Sequence, residues 1–404
     1  MTITVPLRRL TRMAYGEALA SDVRVSGNFH VVSSGGITGS HDARNFRAPG
    51  IVIGRKGSYG SVHWIPNGGF AIDTAYYIDE RLTSVDLRWL YYVLQAIDLR
   101  GPSQDVGVPG LARDAAYETH APLPPPAEEQ YRIANFLDAE TAHIEQMENS
   151  RSRQISALDE RELAVIADML SGGATPDNGK PTGWRWLPHI PANWKIGPVY
   201  AYYLTELGKM LNSDRASGRR QRPYLRNANV HWYEIDSSDM ATMHFSPEET
   251  RRYSVQAGDL LVCEGGAGVA EAAVWDGRIE ECFFQKSIHR VRQNGDVPVE
   301  WLMYWLRFAK SCGVFEADGN IATIPHLTGE QLREYRIPIP DDAQFRLTKT
   351  IEALTAMKKA RARLKEAQGL LAERRQALIT AAVSGQFDVS TASGRNVTDG
   401  VPTP

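Results

Sequence analysis

The 404-residue sequence predicts an α/β (α+β) protein, with two similar globular domains separated by two long antiparallel coiled-coil helices and related by a pseudo-two-fold internal repeat. Three observations predict it. The second half repeats the first: Leu158, Glu160, Arg161, Ile166, Ser171 and Gly172 recur at one constant interval as Leu371, Glu373, Arg374, Ile379, Ser384 and Gly385. Upstream, Pro122-Leu123-Pro124 is echoed by Pro338-Ile339-Pro340, and Gln130-Tyr131-Arg132-Ile133 by Gln344-Phe345-Arg346-Leu347, with a two-residue gap between these registers. Each half also closes on a long charged segment with helical apolar spacing, preceded by short strand-like runs punctuated by glycine turns.

The first domain occupies 1–126. Ile51 to Gly54 reads as a β-rich run, Arg55-Lys56-Gly57-Ser58-Tyr59-Gly60 as a turn with two cations at its tip, and Ser61 to Ile65 as the returning strand. Phe70 to Ile78 reads as another strand, and Leu87, Leu90, Val93, Leu94 and Ile97 have helical spacing. Pro124 to Pro126 then stop the domain, because proline donates no ladder hydrogen bond and restricts the residue before it.

A long helix follows over 127–171, with Leu137, Ile144, Leu158 and Val165 on one heptad line that Arg151 interrupts. Residues 172–191, rich in Gly, Pro and Asn, read as a linker. The second domain spans 192–340, where Asp259 to Cys263, Glu264 to Gly268 and Ala272 to Trp275 restate the strand, turn and strand of the first. The distal helix, 341–386, places Met357, Leu364, Leu371 and Leu378 seven apart. Ala353, Ala360, Ala367 and Arg374 each precede them by four, an a/d seam in which small residues let two helices approach closely. A helix of some 40 residues is about 60 Å long, more than one globule can cover, so the two helices are expected to pack on each other. The tail, 387–404, is polar and is assigned no structure.

Composition narrows the function. A net charge of −3 argues against a protein that coats nucleic acid over its whole surface, yet leaves room for a basic face. Arginines 215, 219, 220, 222 and 226 supply one such stretch. Met1 to Leu10 is no secretory signal and no run of 18 apolar residues occurs, so a cytoplasmic protein without a membrane partner is expected. Cys263, Cys282 and Cys312 are odd in number and lack CxxC spacing, which predicts free buried thiols.

Catalytic signals are missing. There is no P-loop, and Gly265-Gly266-Ala267-Gly268 is only a glycine-rich turn. No Asn-Pro-Pro-aromatic run that would hold a flipped base occurs, nor H-x-E with P-C-x-x-C, and the ten histidines have no metal spacing. No catalytic residue, no metal ligand and no cofactor of its own are assigned to this chain. Binding remains. Basic loops interleaved with Tyr59, His63, Trp64, Tyr224, Asn229, His231 and Trp232 suit contacts to phosphates and base edges. Two similar surfaces about a pseudo-two-fold axis match the local symmetry of duplex DNA.

Over nearly its full length the chain resembles the specificity subunit of a type I restriction-modification system. The resemblance is carried by Ser34-Gly35-Gly36-Ile37, Pro49-Gly50-Ile51-Val52-Ile53-Gly54-Arg55-Lys56-Gly57-Ser58 and Asp73-Thr74-Ala75-Tyr76-Tyr77 in the first half. In the second half the carriers are Pro223 to Val230, Gly258 to Gly266 and Phe284 to Arg290. The resemblance implies a bacterial or archaeal, non-catalytic subunit whose two target-recognition domains each read half of a split site in double-stranded DNA, while the helices act as a ruler for the unread gap. It implies two modification subunits that bind S-adenosylmethionine and methylate adenine, and restriction subunits that use ATP and Mg.

Carried onto this sequence, the first domain would contact DNA through Gly35, Gly36, Arg44, Arg47, Arg55, Lys56 and Ser58, and the second through Arg219, Arg220, Arg222, Arg226, Asn227 and Lys286. Two other classes stand beside this one. A coiled-coil adaptor without DNA recognition predicts no salt-dependent DNA affinity, and a methyltransferase or nuclease carrying recognition domains predicts that the purified chain binds S-adenosylmethionine.

Overall fold

The computed structural model describes residues 3–100, 110–210, 221–317, 326–386 and 389. It divides into two compact units, Met1–Arg153 with Leu364–Pro404, and Gln154–Arg363. The division cuts both long helices, so each unit is a globule joined to part of each.

The first unit contains β1 (Thr4–Pro6), β2 (Ala14–Tyr15), β3 (Phe29–Ser33), β4 (Gly36–His41), β5 (Gly50–Gly54), β6 (Val62–Ile65), β7 (Gly69–Ala71) and β8 (Ala75–Asp79). After them come α1 (Leu87–Ala96), α2 (Arg113–Glu118), β9 (His120–Pro122) and the start of α3 (Ala127–Ser171). Three sheets form, in the orders β2-β8-β5-β6, β4-β3-β7 and β1-β9. β5 is buried along its whole length, and an Ile-Val-Ile run suits a strand covered on both faces. Asp86 caps α1 by accepting a hydrogen bond from the Trp89 amide at 2.7 Å, and Trp89, Leu90, Val93 and Leu94 of that helix pack with Ile51, Ile53, Tyr76 and Ile78.

In the second unit α3 ends and a short hairpin follows, β10 (Gly179–Pro181) with β11 (His189–Pro191). Then come β12 (Lys195–Pro198), β13 (Tyr203–Leu207), β14 (Gln221–Leu225), β15 (Val230–His231), β16 (Glu234–Ile235), β17 (Ala241–His244) and α4 (Pro247–Tyr253). The remainder is β18 (Leu260–Cys263), β19 (Ala272–Val274), β20 (Phe283–Phe284), β21 (Ile288–Gln293), α5 (Val299–Ser311), α6 (Val314–Ala317), α7 (Gly329–Glu334), β22 (Arg336–Ile339) and α8 (Ala343–Val383). Three of its sheets run β13-β21-β18-β19, β17-β14-β20 and β12-β22, repeating the first unit's connectivity, and β15 with β16 adds a two-stranded sheet of its own. The registers agree too, since Gly54 faces Ala75 in one sheet and Cys263 faces Ile288 in the other.

Each globule is closed by both long helices. Ile133, Ala134, Leu137 and Ile144 near the start of α3 share the first core with Leu378, Ile379, Ala382 and Val383 at the end of α8. In the second core Ala343 and Leu347 of α8 join Ile166, Met169 and Leu170 of α3. Within the second unit Arg361 meets Asp159 and Glu162, while Lys349 and Thr350 meet Val165 and Asp168, so the two helices run antiparallel.

Of the residues on the expected seam, Leu137, Ile144, Met357 and Leu378 are buried, whereas Leu158, Val165, Leu364 and Leu371 are half-buried. Other contacts between the helices are polar: Arg361 lies 2.6 Å from Asp159, and Gln368 donates to Ser152 at 2.9 Å.

Two expectations change. Residues 172–191 are not a plain connector, because Leu187 and Ile190 enter the second core and Trp184 stacks on Trp186 at 5.2 Å, beside Trp305 and Phe308. These apolar side chains anchor the hairpin despite its Gly and Pro content. Cys263 and Cys282 are buried thiols, each pushed up to about 12 by burial, but Cys312 is exposed beyond the last turn of α5. Among the described residues no helix is long and apolar enough to cross a membrane.

Candidate nucleic-acid interface

In the first unit two loops and a turn converge at one end of the sheets. The β3–β4 turn carries Gly35 and Gly36, the latter at φ +108°, a conformation that a side chain would strain. Ser33 Oγ accepts a hydrogen bond from the Gly35 amide at 3.2 Å. A Cβ on Gly35 would lie 3.9 Å from Ser58 Oγ, and one on Gly57 3.7 Å from Ser34 Oγ, so the β5–β6 loop lies directly against this turn. Ser61 donates to the Ser34 carbonyl, and the Ser34 amide donates to Thr74 Oγ1 at 3.4 Å. Gly35, Gly36, Arg55, Lys56 and Ser58 thus form one cluster.

Within it Lys56 and Ser58 are exposed while Arg55 is half-buried. The Arg55 guanidinium donates to the Asp73 carbonyl at 3.1 Å and lies 5.2 Å from the centre of the Tyr15 ring. Arg113 approaches the same ring at 4.7 Å. Tyr15 is exposed on the edge strand β2, and neither it nor Arg113 was marked by the sequence. The two are brought to Arg55 by sheet pairing and by the β-bridge between Lys56 and Gly110, contacts that leave no local pattern. Beneath them, burial and then Tyr15 hold the Tyr76 hydroxyl above its usual range, and it donates to the Leu111 carbonyl at 3.0 Å.

Arg44 and Arg47 do not join this cluster. Arg44 lies over Phe29, at the end of β3 away from the turn, and Arg47 lies beside Glu80 at the opposite end of β5 from Lys56.

The second unit builds the same corner with other side chains. Glu264 takes the place of Arg55, since Leu111 donates to the Arg55 carbonyl and Leu327 to that of Glu264. Gly265 replaces Lys56 in the bridge, facing His326 where Lys56 faces Gly110. His289 replaces Tyr76 and bonds the Leu327 carbonyl at 2.8 Å through Nε2, and burial keeps it below the usual histidine range. Glu264 pairs with His326 at 3.3 Å.

Asn227 staples this corner together. Its amide donates to Ser287 Oγ at 3.2 Å and its Nδ2 to the Gly265 carbonyl at 2.7 Å. Lys286 is exposed, with no side-chain partner among the described residues. Arg222 and Arg226 on and after β14 are paired with Glu281 and Asp239, each at 2.6 Å. Arg219 and Arg220 lie outside the described residues. The loops also hide a buried cation: Lys209 donates to Glu249 at 2.7 Å and is 2% exposed. Its counterpart Glu17 is exposed, and both make the same parallel bridge, to Gln285 and to Ile72.

Among the described residues no group of three or more His, Cys, Asp or Glu side chains has the geometry to hold a metal ion. What the two corners offer is hydrogen bonding and charge on exposed loops over a rigid sheet.

No protein-family model matches the chain, and no curated protein does. Solved structures do. A chain from a study of complex assembly and conformational transition of the type I restriction-modification system aligns over 95% of this chain and 98% of its own, with a TM-score of 0.66 at 15% identity. The S subunit of a type I restriction-modification system from M. genitalium aligns over 95% and 96%, with a TM-score of 0.43 at 15% identity. The HsdS subunit from Thermoanaerobacter tengcongensis aligns over 95% and 97%, with a TM-score of 0.45 at 15% identity. At a TM-score of 0.66 over nearly the whole of both chains, this protein has the fold of a chain of the type I restriction-modification system.

Proposed function

We propose that this chain is the specificity subunit of a type I restriction-modification complex. The observation that carries the reading is the pair of loop corners: a shared core of sheet connectivity presents Arg55, Lys56 and Ser58 in one unit and Glu264, Gly265 and Lys286 in the other. One scaffold with two surface chemistries is what reading two different half-sites requires, because base contacts specify while the frame only positions. The fold shared with a chain of that system supports the same reading.

In this reading the domains at 1–126 and 192–340 each take one half of a split site in double-stranded DNA, and the helices at 127–171 and 341–386 set the gap. Gly35, Gly36, Arg55, Lys56 and Ser58 face the first half-site, with Arg44 and Arg47 touching flanking backbone. Lys286 and Asn227, with Arg219, Arg220, Arg222 and Arg226, serve the second, once Arg222 and Arg226 exchange their carboxylate partners for phosphate. The chain itself performs no catalysis. Two modification subunits supply S-adenosylmethionine chemistry, restriction subunits supply ATP- and Mg-dependent work, and this chain scaffolds them in the cytoplasm.

Co-expression with the cognate modification subunit, followed by single-molecule mapping of methylated adenines in the host genome, tests the reading. A split motif with a fixed unspecified gap is expected. A continuous or palindromic motif would mean that one domain is silent, and no methylation would favour a scaffold that does not read DNA.

A further inference from the structure

The two units differ where each recognition domain meets the long helices. The repeat pairs Glu160 with Glu373 and Arg161 with Arg374, and so Glu162 with Arg375. The shared Trp and Tyr spacing of α1 and α5 (Trp89 and Tyr92, Trp301 and Tyr304) likewise pairs Gln95 with Arg307 and Asp98 with Lys310.

In the second unit this junction is closed. Glu162 is 4% exposed and holds the Tyr233 hydroxyl at 2.9 Å, Arg307 at 3.3 Å and Arg361 at 2.8 Å. Trp232, beneath Arg307 and Lys310, covers the rest, and Lys310 is tied to Glu271 and to the Ala267 carbonyl.

In the first unit the same place is open among the described residues. A cleft of about 590 Å³ lies between the β5–β6 loop, the end of α1 and α8, with Ser61, Gln95, Asp98, Arg100, Arg375 and Gln376 on its walls. Gly60 forms its rim at φ +75°, where a Cβ would come within 2.8 Å of Arg100 Cγ. Asp98 turns a carboxylate oxygen to the Arg100 amide at 2.8 Å, and Gln376 donates to the Gln95 carbonyl at 3.0 Å. Neither the Arg100 nor the Arg375 guanidinium has a partner among the described residues. Two unpaired guanidiniums on polar walls call for an anion with several oxygens. The cleft continues from the loop that carries Lys56 and Ser58, which favours the DNA backbone over an acidic protein segment.

We infer that Arg100 and Arg375 grip phosphates of the DNA beside the first half-site, tying the distal helix directly to the duplex, a contact that Glu162 denies to the second domain. The inference rests on the specificity-subunit reading and deepens it.

The test uses the full chain assembled with its modification subunits and a duplex carrying the wild-type motif, with binding followed by fluorescence anisotropy from about 50 to about 200 mM salt. Arg375→Gln and Arg100→Gln should each flatten the dependence of log affinity on log salt by about one unit, while the methylated motif stays the same. Arg375→Lys should restore the slope. Because Arg100 is exposed, its variant reports even if the Arg375 variant fails to fold. An unchanged slope in both Gln variants would overturn the inference alone. Loss of co-purifying modification subunits at an unchanged slope would overturn it in favour of a protein-docking cleft. A wild-type complex that binds no duplex would overturn the specificity-subunit reading itself, and this inference with it.

Discussion

The strand that leads into each loop corner ends in the same turn, but the two units solve its last step differently. The first uses Gly60 at φ +75° and the second Ala270 at φ +65°, both donating from the amide to the end of the central strand. Beside that turn the first unit has an open polar cleft and the second a buried carboxylate held by two arginines and a tyrosine. The lesson is that duplication preserved the connectivity while burial and charge at equivalent positions diverged. Equivalent substitutions should therefore have unequal effects.

The largest asymmetry is expected at Glu162 and Arg375. Glu162→Ala strands Arg307 and Arg361 without their shared partner, and breaking such a buried pair costs about 3 kcal/mol, whereas Arg375→Ala removes an unpaired side chain and should leave stability within about 0.5 kcal/mol. Urea denaturation of both variants checks this, and equal losses would erase the contrast. At the turn, Gly60→Ala should cost about 1–2 kcal/mol, since it adds left-handed strain and crowds Arg100. Ala270→Gly trades relieved strain for a lost buried methyl and should change stability by less than about 1 kcal/mol.

The two core tryptophans sharpen the comparison further. Both are fully buried, but the Trp301 indole donates to the Pro338 carbonyl at 2.8 Å while the Trp89 indole nitrogen has no acceptor among the described residues. Trp301→Phe should cost about 1 kcal/mol more than Trp89→Phe, read from paired denaturation curves.

The smallest effect concerns acid. Burial holds His289 below the ordinary histidine range, although its bond to the Leu327 carbonyl opposes this, so the folded chain binds that proton less readily than the unfolded one. The contribution is complete above the unfolded value of about 6.5 and declines as pH falls from there toward the lower folded value. His289→Tyr, which copies Tyr76, should flatten the melting temperature over that window. A slope identical to the parent would assign the acid response elsewhere.

The helices were legible because their information is local. A seven-residue repeat and proline stops mark α3 and α8 without reference to anything distant. The repeat was legible for the same reason. Sheet order was not, since β3 pairs in parallel with β7 and β13 pairs antiparallel with β21, contacts made across long stretches of chain. The loop corner was half legible. Glycine and cation patterns marked Gly35, Lys56 and Ser58, but only the fold shows that Arg55 shares Tyr15 with Arg113, or that Arg222 and Arg226 already hold carboxylates. The hairpin over 179–191 reads locally as linker because its Gly and Pro content outweighs the apolar Trp184, Trp186, Leu187 and Ile190.

The core of the first unit contains Leu378, Ile379, Ala382 and Val383, residues supplied by the other end of the chain. A ribosome therefore finishes the N-terminal domain's sequence long before that domain can complete its interior. Until α8 emerges, the surface around Leu137 and Ile144 lacks its cover, and the loop that must close spans most of the polypeptide, which slows the step. The second unit, whose helical cover lies at the flanks of its own segment, is free to mature first. Removing the last turns of α8 should accordingly unfold the beginning of the protein while sparing its middle.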